Sequence, residues 1–179
     1  LIAFVLTFLF LIFRKYDFKI NIRDFFNFSL AGIIIALHWI TFFEAIEQSN
    51  ISITLAMFST GAFFASLLEP IFFKRKIKPV EIILGCVVVC GVFIILKANI
   101  NSFVGVLLGI VSALLASLFS VFNGKLVQNN NPFLISFYEF LSGVVFILLY
   151  LIFSDNLSDL AISSFFSYDH LYVFILGSI

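Results

Sequence analysis

Long apolar segments alternate with short polar connections along the whole chain. Seven apolar segments can be distinguished, of which five have full or nearly full membrane length and the first and last are partial; they are residues 1–13, 28–46, 51–73, 80–96, 103–122, 133–153 and 171–179. A helix needs about 20 mostly apolar residues to cross a hydrocarbon core of about 30 Å. The pattern therefore predicts an all-α integral membrane protein.

Two prolines mark where membrane helices should begin. Pro79 and Pro132 each stand immediately before an apolar segment. The first turn of a helix has no internal partner for its N–H groups, so the missing N–H of proline costs nothing there. Both prolines predict helix starts.

Composition agrees with a membrane protein, and the distribution of charge predicts how it is oriented. The chain is 63% hydrophobic and 11% charged, with no formal net charge, whereas a soluble domain has about a quarter of its residues charged. Nine of the ten Lys and Arg residues fall in the connections at 14–24, 74–79 and 124–132, which the positive-inside rule places in the cytoplasm. We therefore expect the chain to lie in a lipid bilayer and to bind no nucleic acid through these basic residues.

The chain contains an internal repeat. When the sequence is aligned with itself at an offset of 140 positions, residues 9–13 (LFLIF) match residues 149–153 (LYLIF). Beyond the match, Arg14 and Lys15 are replaced by Ser154 and Asp155, as expected if the copies face opposite sides of the membrane. We predict a bundle of two inverted five-helix repeats, residues 1–98 without their first helix and residues 103–179 in truncated form. The complete protein would have ten helices, about seven of them represented here.

Several short motifs resemble a known family. They are residues 37–45 (LHWITFFEA), Gln48-Ser49-Asn50, Leu68-Glu69-Pro70, residues 83–92 and the small-residue run 105–124. Together they resemble an EamA-type domain of the drug/metabolite transporter superfamily. The resemblance implies two EamA-like repeats and alternating access of small solutes, amino acids and drugs among them, to a central cavity. Residues 73–76 depart from the family, whose members often carry an acidic residue before the basic one.

Polar residues inside the apolar segments are the candidates for solute contact, because ionisable groups within a span normally face the bundle interior or water. His38 lies near the middle of its span, and Glu44 lies nearer the outer side. The full set is His38, Trp39, Thr41, Glu44, Ser59, Thr60, Tyr138 and Glu139. Glu139 is a candidate for a cationic substrate group or a coupling proton.

Several of these candidates also have a structural interpretation. His38 could be a neutral imidazole bonded to a neighbouring helix, Glu44 could reach the outer interface of the membrane, and Trp39 could simply pack. The hydroxyls of the span at 51–73 could serve close helix approach, and Glu69 could reach toward the basic connection. A seam of small residues is predicted in the next span, at Gly105, Gly109, Ser112, Ala116, Ser120 and Gly124.

The function predicted from these features is secondary transport of a small organic solute by alternating access, in the cell membrane of a bacterium. A membrane-embedded enzyme is disfavoured because His38 and His170 lie far apart and no Cys/His cluster accompanies them. A structural or sensory membrane protein and a channel remain alternatives. We expect no cofactor and no metal, and the substrate, its direction, the coupling ion and the oligomeric state stay open.

Overall fold

The computed structural model describes residues 2–98 and 100–153. Every regular element in these ranges is helical. The elements are α1 (Ile2–Phe13), α2 (Ile22–Gln48), α3 (Ile51–Phe58), α4 (Gly61–Phe73), α5 (Pro79–Ala98), a 3₁₀ turn (Ile100–Ser102), α6 (Phe103–Leu126) and α7 (Pro132–Phe153). The seventh predicted apolar segment, at 171–179, lies outside the described residues.

Five segments of the described chain are long and apolar enough to cross a membrane. They are Ile22–Gln48, Ile51–Phe73, Pro79–Lys97, Phe103–Leu126 and Pro132–Phe153. Large apolar side chains such as Phe43, Ile71 and Phe93 are more than half exposed, as expected for a protein surrounded by lipid. The prediction of an all-helical membrane bundle is confirmed, and α5 and α7 begin at the predicted prolines.

Helix α2 begins six residues before the predicted span. The side chain of Asn21 accepts a hydrogen bond from the Asp24 N–H at 2.7 Å and donates one to the Asp24 carboxylate at 2.6 Å. An amide at the helix start paired with an acidic side chain in the first turn satisfies backbone N–H groups that have no partner inside the helix. Polar Arg23, Asp24 and Asn27 thus belong to the helix although they do not belong to the apolar segment.

The predicted span at 51–73 consists of two helices. Between them, the Thr60 N–H bonds to the Met57 carbonyl at 3.0 Å, and the Thr60 hydroxyl donates to the same oxygen at 2.6 Å. The Ser59 hydroxyl donates to the Ala56 carbonyl at 2.6 Å. Adjacent Ser and Thr hydroxyls therefore compete for the carbonyls that would continue the helix, and the turn between α3 and α4 tightens.

The described residues form two compact units. Of these residues, those at 2–33 and 130–153 belong to a discontinuous unit, and those at 34–98 and 100–129 belong to a continuous unit. In the discontinuous unit, α1 and α7 pack through phenylalanine rings: Phe137 lies 5.4 Å from Phe4, 5.8 Å from Phe8 and 5.3 Å from Phe18 between ring centroids. The offset contacts with Phe4 and Phe8 join α7 to α1, and the edge contact with Phe18 joins α7 to the connection that follows α1.

In the continuous unit, α6 packs closely against α3 and α4. Gly105 lies so near the end of α2 that a Cβ atom there would stand 2.5 Å from the Ser49 Cβ, and one at Gly109 would stand 2.8 Å from the Met57 Cβ. The first half of the predicted seam is confirmed by the burial of Gly105, Gly109 and Ser112. In the second half Ser120 was predicted wrongly, since it is exposed whereas Ser117 and Val121 are buried. Gly124 is half-buried, and a Cβ atom there would stand 3.5 Å from the Phe73 ring.

Candidate functional site

His38 is the polar centre of the continuous unit. Its side chain is 5% exposed, and its Nδ1 atom lies 3.0 Å from the carbonyl oxygen and 2.9 Å from the hydroxyl oxygen of Ser112. Ser112 itself is completely buried. An imidazole from the middle of α2 is therefore held by α6, across 74 positions of sequence.

Aromatic rings surround this histidine. The ring centroids of Trp39, Phe42 and Phe58 lie 5.1, 5.9 and 5.5 Å from that of His38. We call His38, Trp39, Phe42 and Phe58 the His38 cluster. Trp39 is 47% exposed, so the cluster extends from the buried Ser112 contact to the surface of the unit.

Thr41 and Glu44, two other candidates on α2, bond within their own helix. The Thr41 hydroxyl lies 2.9 Å from the Leu37 carbonyl and 3.0 Å from the His38 carbonyl. Glu44 accepts a hydrogen bond from the Gln48 side chain at 2.9 Å, one turn before the helix ends. Both are half-buried, and neither contributes to the bond between His38 and α6.

Ser59 and Thr60 form the turn between α3 and α4. Thr60 is buried and Ser59 is exposed, and both hydroxyls bond to carbonyls of α3. The first carbonyl of α4, that of Gly61, lies 2.7 Å from the Ser117 hydroxyl of α6. Ser112 and Ser117 thus provide polar contacts between α6 and other helices. Ser112 was predicted as part of the small-residue seam, whereas Ser117 was not.

Tyr138 and Glu139 belong to the discontinuous unit. The Tyr138 hydroxyl donates to the Phe18 carbonyl at 2.7 Å. Glu139 is 5% exposed, and its backbone carbonyl lies so close to Gly32 that a Cβ atom at Gly32 would overlap it. A Cβ atom at Gly143 would stand 3.2 Å from the Gly32 carbonyl. Glu139 is therefore held where the backbones of α2 and α7 approach most closely.

A cavity of about 340 Å³ lies beside Tyr138 in the same unit. Phe25, Ser29 and Ile33 line it from α2, and Tyr138, Ser142 and Phe146 line it from α7. The Ser142 hydroxyl donates to carbonyls of its own helix, at 2.8 Å for Tyr138 and 3.1 Å for Glu139. With that hydroxyl turned to the backbone, the cavity has a mainly apolar wall.

A charged cluster joins α4, the basic connection and α5. The Arg75 guanidinium lies 2.9 Å from the Glu69 carboxylate and 2.8 Å from that of Glu81. Its hydrogen bond to Glu81, and then that to Glu69, raise the pKa of Arg75 above its ordinary value. Glu69 reaches the basic connection as predicted. Glu81, which also accepts the Lys78 N–H at 2.8 Å, was missed by the sequence analysis.

Metal-ligating side chains do not gather in the part of the chain that the structure describes. No three His, Cys, Asp or Glu residues lie close enough there to hold a metal ion. Cys86 and Cys90 are exposed on α5.

The comparison with known proteins agrees with the motifs read from the sequence. The sequence profile of the EamA-like transporter family matches residues 1–97, which is more than half of the 179 residues. The uncharacterized transporter YxxF of Bacillus subtilis (strain 168) is 23% identical over 133 residues, covering 70% of this chain and 42% of that protein. No solved structure matches the chain.

The family match and the helices lead to the same conclusion. Residues 1–97 contain α1 to α4 and nearly all of α5, so the match covers an all-helical segment with three candidate membrane spans. The resemblance to an EamA-type domain is confirmed. The chain is a multi-pass membrane protein, and it belongs to the EamA-like transporter family.

Proposed function

We propose that the full-length protein containing this chain is a secondary transporter, which moves a small organic solute across a bacterial cell membrane by alternating access. The observation that carries the proposal is the buried pair of His38 and Ser112 in the middle of two membrane spans of an EamA-like chain. A titratable side chain at that depth is costly, and such groups mark substrate or ion pathways in membrane proteins.

The interruption between α3 and α4 supports a moving part. Transporters place discontinuous helices beside their binding sites, because irregular backbone at membrane depth is tolerated only when protein or a water-filled cavity satisfies it. Here the Ser117 hydroxyl reaches the Gly61 carbonyl at the start of α4. A rotation of α4 relative to α3 would break that hydrogen bond, so the orientation of α4 is linked to its contact with α6.

Glu139 supplies the second titratable group. It is a buried residue of α7, and the same helix lines one side of the cavity beside Tyr138. In the proposed cycle Glu139 binds a cationic group of the solute or a coupling proton, and the apolar cavity takes an uncharged part of the solute. The two roles of Glu139 differ in whether transport responds to a proton gradient.

A vesicle assay tests the proposed function. The purified full-length protein is reconstituted into liposomes, and uptake of labelled amino acids, nucleosides and small cationic drugs is measured with and without a proton gradient. We expect one solute class to accumulate above the level of protein-free vesicles. If no solute moves in either condition, transport of these classes is ruled out and the proposal fails.

Replacement of Glu139 by Gln tests its role in the same vesicles. Gln preserves the shape of the side chain but removes its charge, so Glu139→Gln should lower the initial rate at least about tenfold, the equivalent of about 1.4 kcal/mol of activation free energy. Glu47→Gln, at an exposed position near the end of α2, is the matched control and should transport normally. An unchanged rate in a folded Glu139→Gln protein would remove Glu139 from the mechanism.

A further inference from the structure

We propose that the backbone carbonyl of Ser112 holds His38 as the neutral tautomer protonated on Nδ1, so that Nε2 is a hydrogen-bond acceptor for an N–H or O–H group of the solute. The first half of this inference concerns the protein alone. The second half rests on the proposed transport function and specifies the chemistry of that site.

The carbonyl oxygen of Ser112 determines which ring nitrogen of His38 carries the proton. It lies 3.0 Å from Nδ1, within hydrogen-bond distance, and a carbonyl oxygen can only accept. A proton on Nδ1 makes this contact a hydrogen bond. With the proton on Nε2 instead, the Nδ1 lone pair would face the oxygen lone pairs in a buried site, where an unsatisfied polar contact costs about 1–3 kcal/mol.

The Ser112 hydroxyl is compatible with the same tautomer. Its oxygen lies 2.9 Å from Nδ1 and 3.4 Å from the His38 carbonyl. The hydroxyl can accept a share of the Nδ1 proton while donating its own proton toward the His38 carbonyl. Nδ1, the Ser112 hydroxyl and both backbone carbonyls then have partners, whereas the other tautomer leaves the Ser112 carbonyl opposed to a lone pair.

The surroundings of the ring favour the neutral form. Its neighbours are the rings of Trp39, Phe42 and Phe58. In the part of the chain that the structure describes, the ion pairs are those of Arg75 with Glu69 and Glu81, and no carboxylate pairs with His38. An imidazolium at this depth would thus lack a counter-charge, which is costly in a membrane.

Nε2 is left as the functional atom. Among the described residues no hydrogen bond to Nε2 is formed, and His38 as a whole is 5% exposed. A neutral Nδ1-protonated imidazole presents a lone pair at Nε2. It matches a primary amine, an amide N–H or a hydroxyl, and it does not match a quaternary ammonium group, which has no N–H.

Nitrogen NMR of the full-length protein tests the tautomer directly. With ¹⁵N-labelled histidine at neutral pH, the His38 signals are identified as those lost in His38→Asn. We expect a protonated Nδ1 and an unprotonated Nε2. A proton on Nε2, or on both nitrogens, would overturn the inference. Ser112→Ala keeps the backbone carbonyl and should keep the tautomer; a switch in that variant would overturn the role of the carbonyl.

His38→Asn also separates the structural contact from the functional atom. The Asn amide can occupy the place of Nδ1 and donate to the Ser112 carbonyl, but it does not extend to the place of Nε2. We expect a folded protein whose transport of primary-amine or hydroxyl solutes falls at least about tenfold, equivalent to about 1.4 kcal/mol. His38→Gln, which extends farther, should recover part of the rate.

The outcomes distinguish this inference from the proposed function. If the wild-type protein transports none of the tested solutes, the proposed function fails and the solute contact fails with it, while the NMR result still decides the tautomer. If the wild-type protein transports and His38→Asn transports equally well, the acceptor role of Nε2 fails alone. Preference of the wild-type protein for a quaternary ammonium compound over its primary-amine analogue would also overturn that role.

Discussion

Helices α5 and α6 are neighbours in sequence and are both strongly apolar, yet they are packed very differently. Only 6% of the residues in the most apolar stretch of α5 are buried, whereas 39% are buried in the corresponding stretch of α6. Helix α5 exposes large branched side chains such as Val87 and Ile94. Helix α6 carries its small residues, among them Gly105 and Gly109, against α3 and the end of α2.

The difference shows that apolarity does not select the buried helix of a membrane protein. Lipid tails are as apolar as leucine, so an apolar side chain gains little by exchanging lipid for protein. Close approach and interhelical hydrogen bonds decide instead, and both need small or hydroxyl-bearing residues. In α6 these are spaced at three or four positions, so they share one face.

The largest expected effect comes from exchanging glycines for alanine in the two helices. At Gly105 the new Cβ would stand 2.5 Å from the Ser49 Cβ and 3.0 Å from the Ala45 carbonyl oxygen, whereas at Gly91 nothing lies within 4 Å. Gly105→Ala should destabilise the protein by about 1–3 kcal/mol through overpacking. Gly91→Ala should stabilise it by about 0.5–1 kcal/mol, the helix preference of alanine.

Thermal unfolding of the purified protein in detergent measures both glycine variants. The shifts in melting temperature should have opposite signs. Equal shifts of the same sign would mean that α6 is not held more tightly than α5, and the contrast between the two helices would be lost.

A smaller effect is expected from the polar contact of α6 with α4. The Ser117 hydroxyl lies 2.7 Å from the Gly61 carbonyl, whereas Ser120, on the same helix, is exposed. Ser117→Ala should cost about 0.6 kcal/mol of stability and at most about 1.7 kcal/mol, the average and the maximum measured for hydrogen bonds between membrane helices. Ser120→Ala is the control and should leave the melting temperature unchanged. If both variants melt alike, the Ser117 contact contributes nothing to packing.

The smallest effect concerns the attachment of α5 to α4 by charge. Glu81→Gln removes one of the two carboxylates that bind Arg75. Since the cluster is solvent-accessible, the melting temperature should fall only slightly at low salt, and the difference from wild type should vanish as salt screens the pair. Glu47→Gln serves as the control. A difference that persists at high salt would indicate packing of Glu81 rather than charge.

Features set by neighbouring residues could be predicted from the sequence. The starts of α5 and α7 at Pro79 and Pro132 are examples, because proline fixes the local backbone. The earlier start of α2 was missed because the apolar pattern gives no weight to an Asn21–Asp24 cap. The break after α3 was missed because serine and threonine are tolerated within helices, and only their joint competition for carbonyls interrupts this one.

Contacts between distant residues could be predicted only in part. His38 stood out because a titratable side chain in a span is costly, but its partner could not be identified. The Ser112 contact joins positions 74 apart, and the Tyr138 contact with Phe18 joins positions 120 apart. Both depend on how helices rotate and slide against one another, which no single helix encodes. Ser112 could be recognised as a packing residue, yet its carbonyl is the group that orients the histidine.

The short helices α3 and α4 have a consequence for how the protein is made. With 8 and 13 residues, they measure about 12 Å and about 20 Å, so neither can cross a core of about 30 Å. During biosynthesis the two must therefore enter the bilayer together, with the carbonyls of the tightened turn at Ser59 and Thr60 already hydrogen-bonded. The hydroxyls of Ser59 and Thr60, which interrupt the helix, also donate hydrogen bonds to its carbonyls there. These carbonyls therefore have partners before α6 has been synthesised.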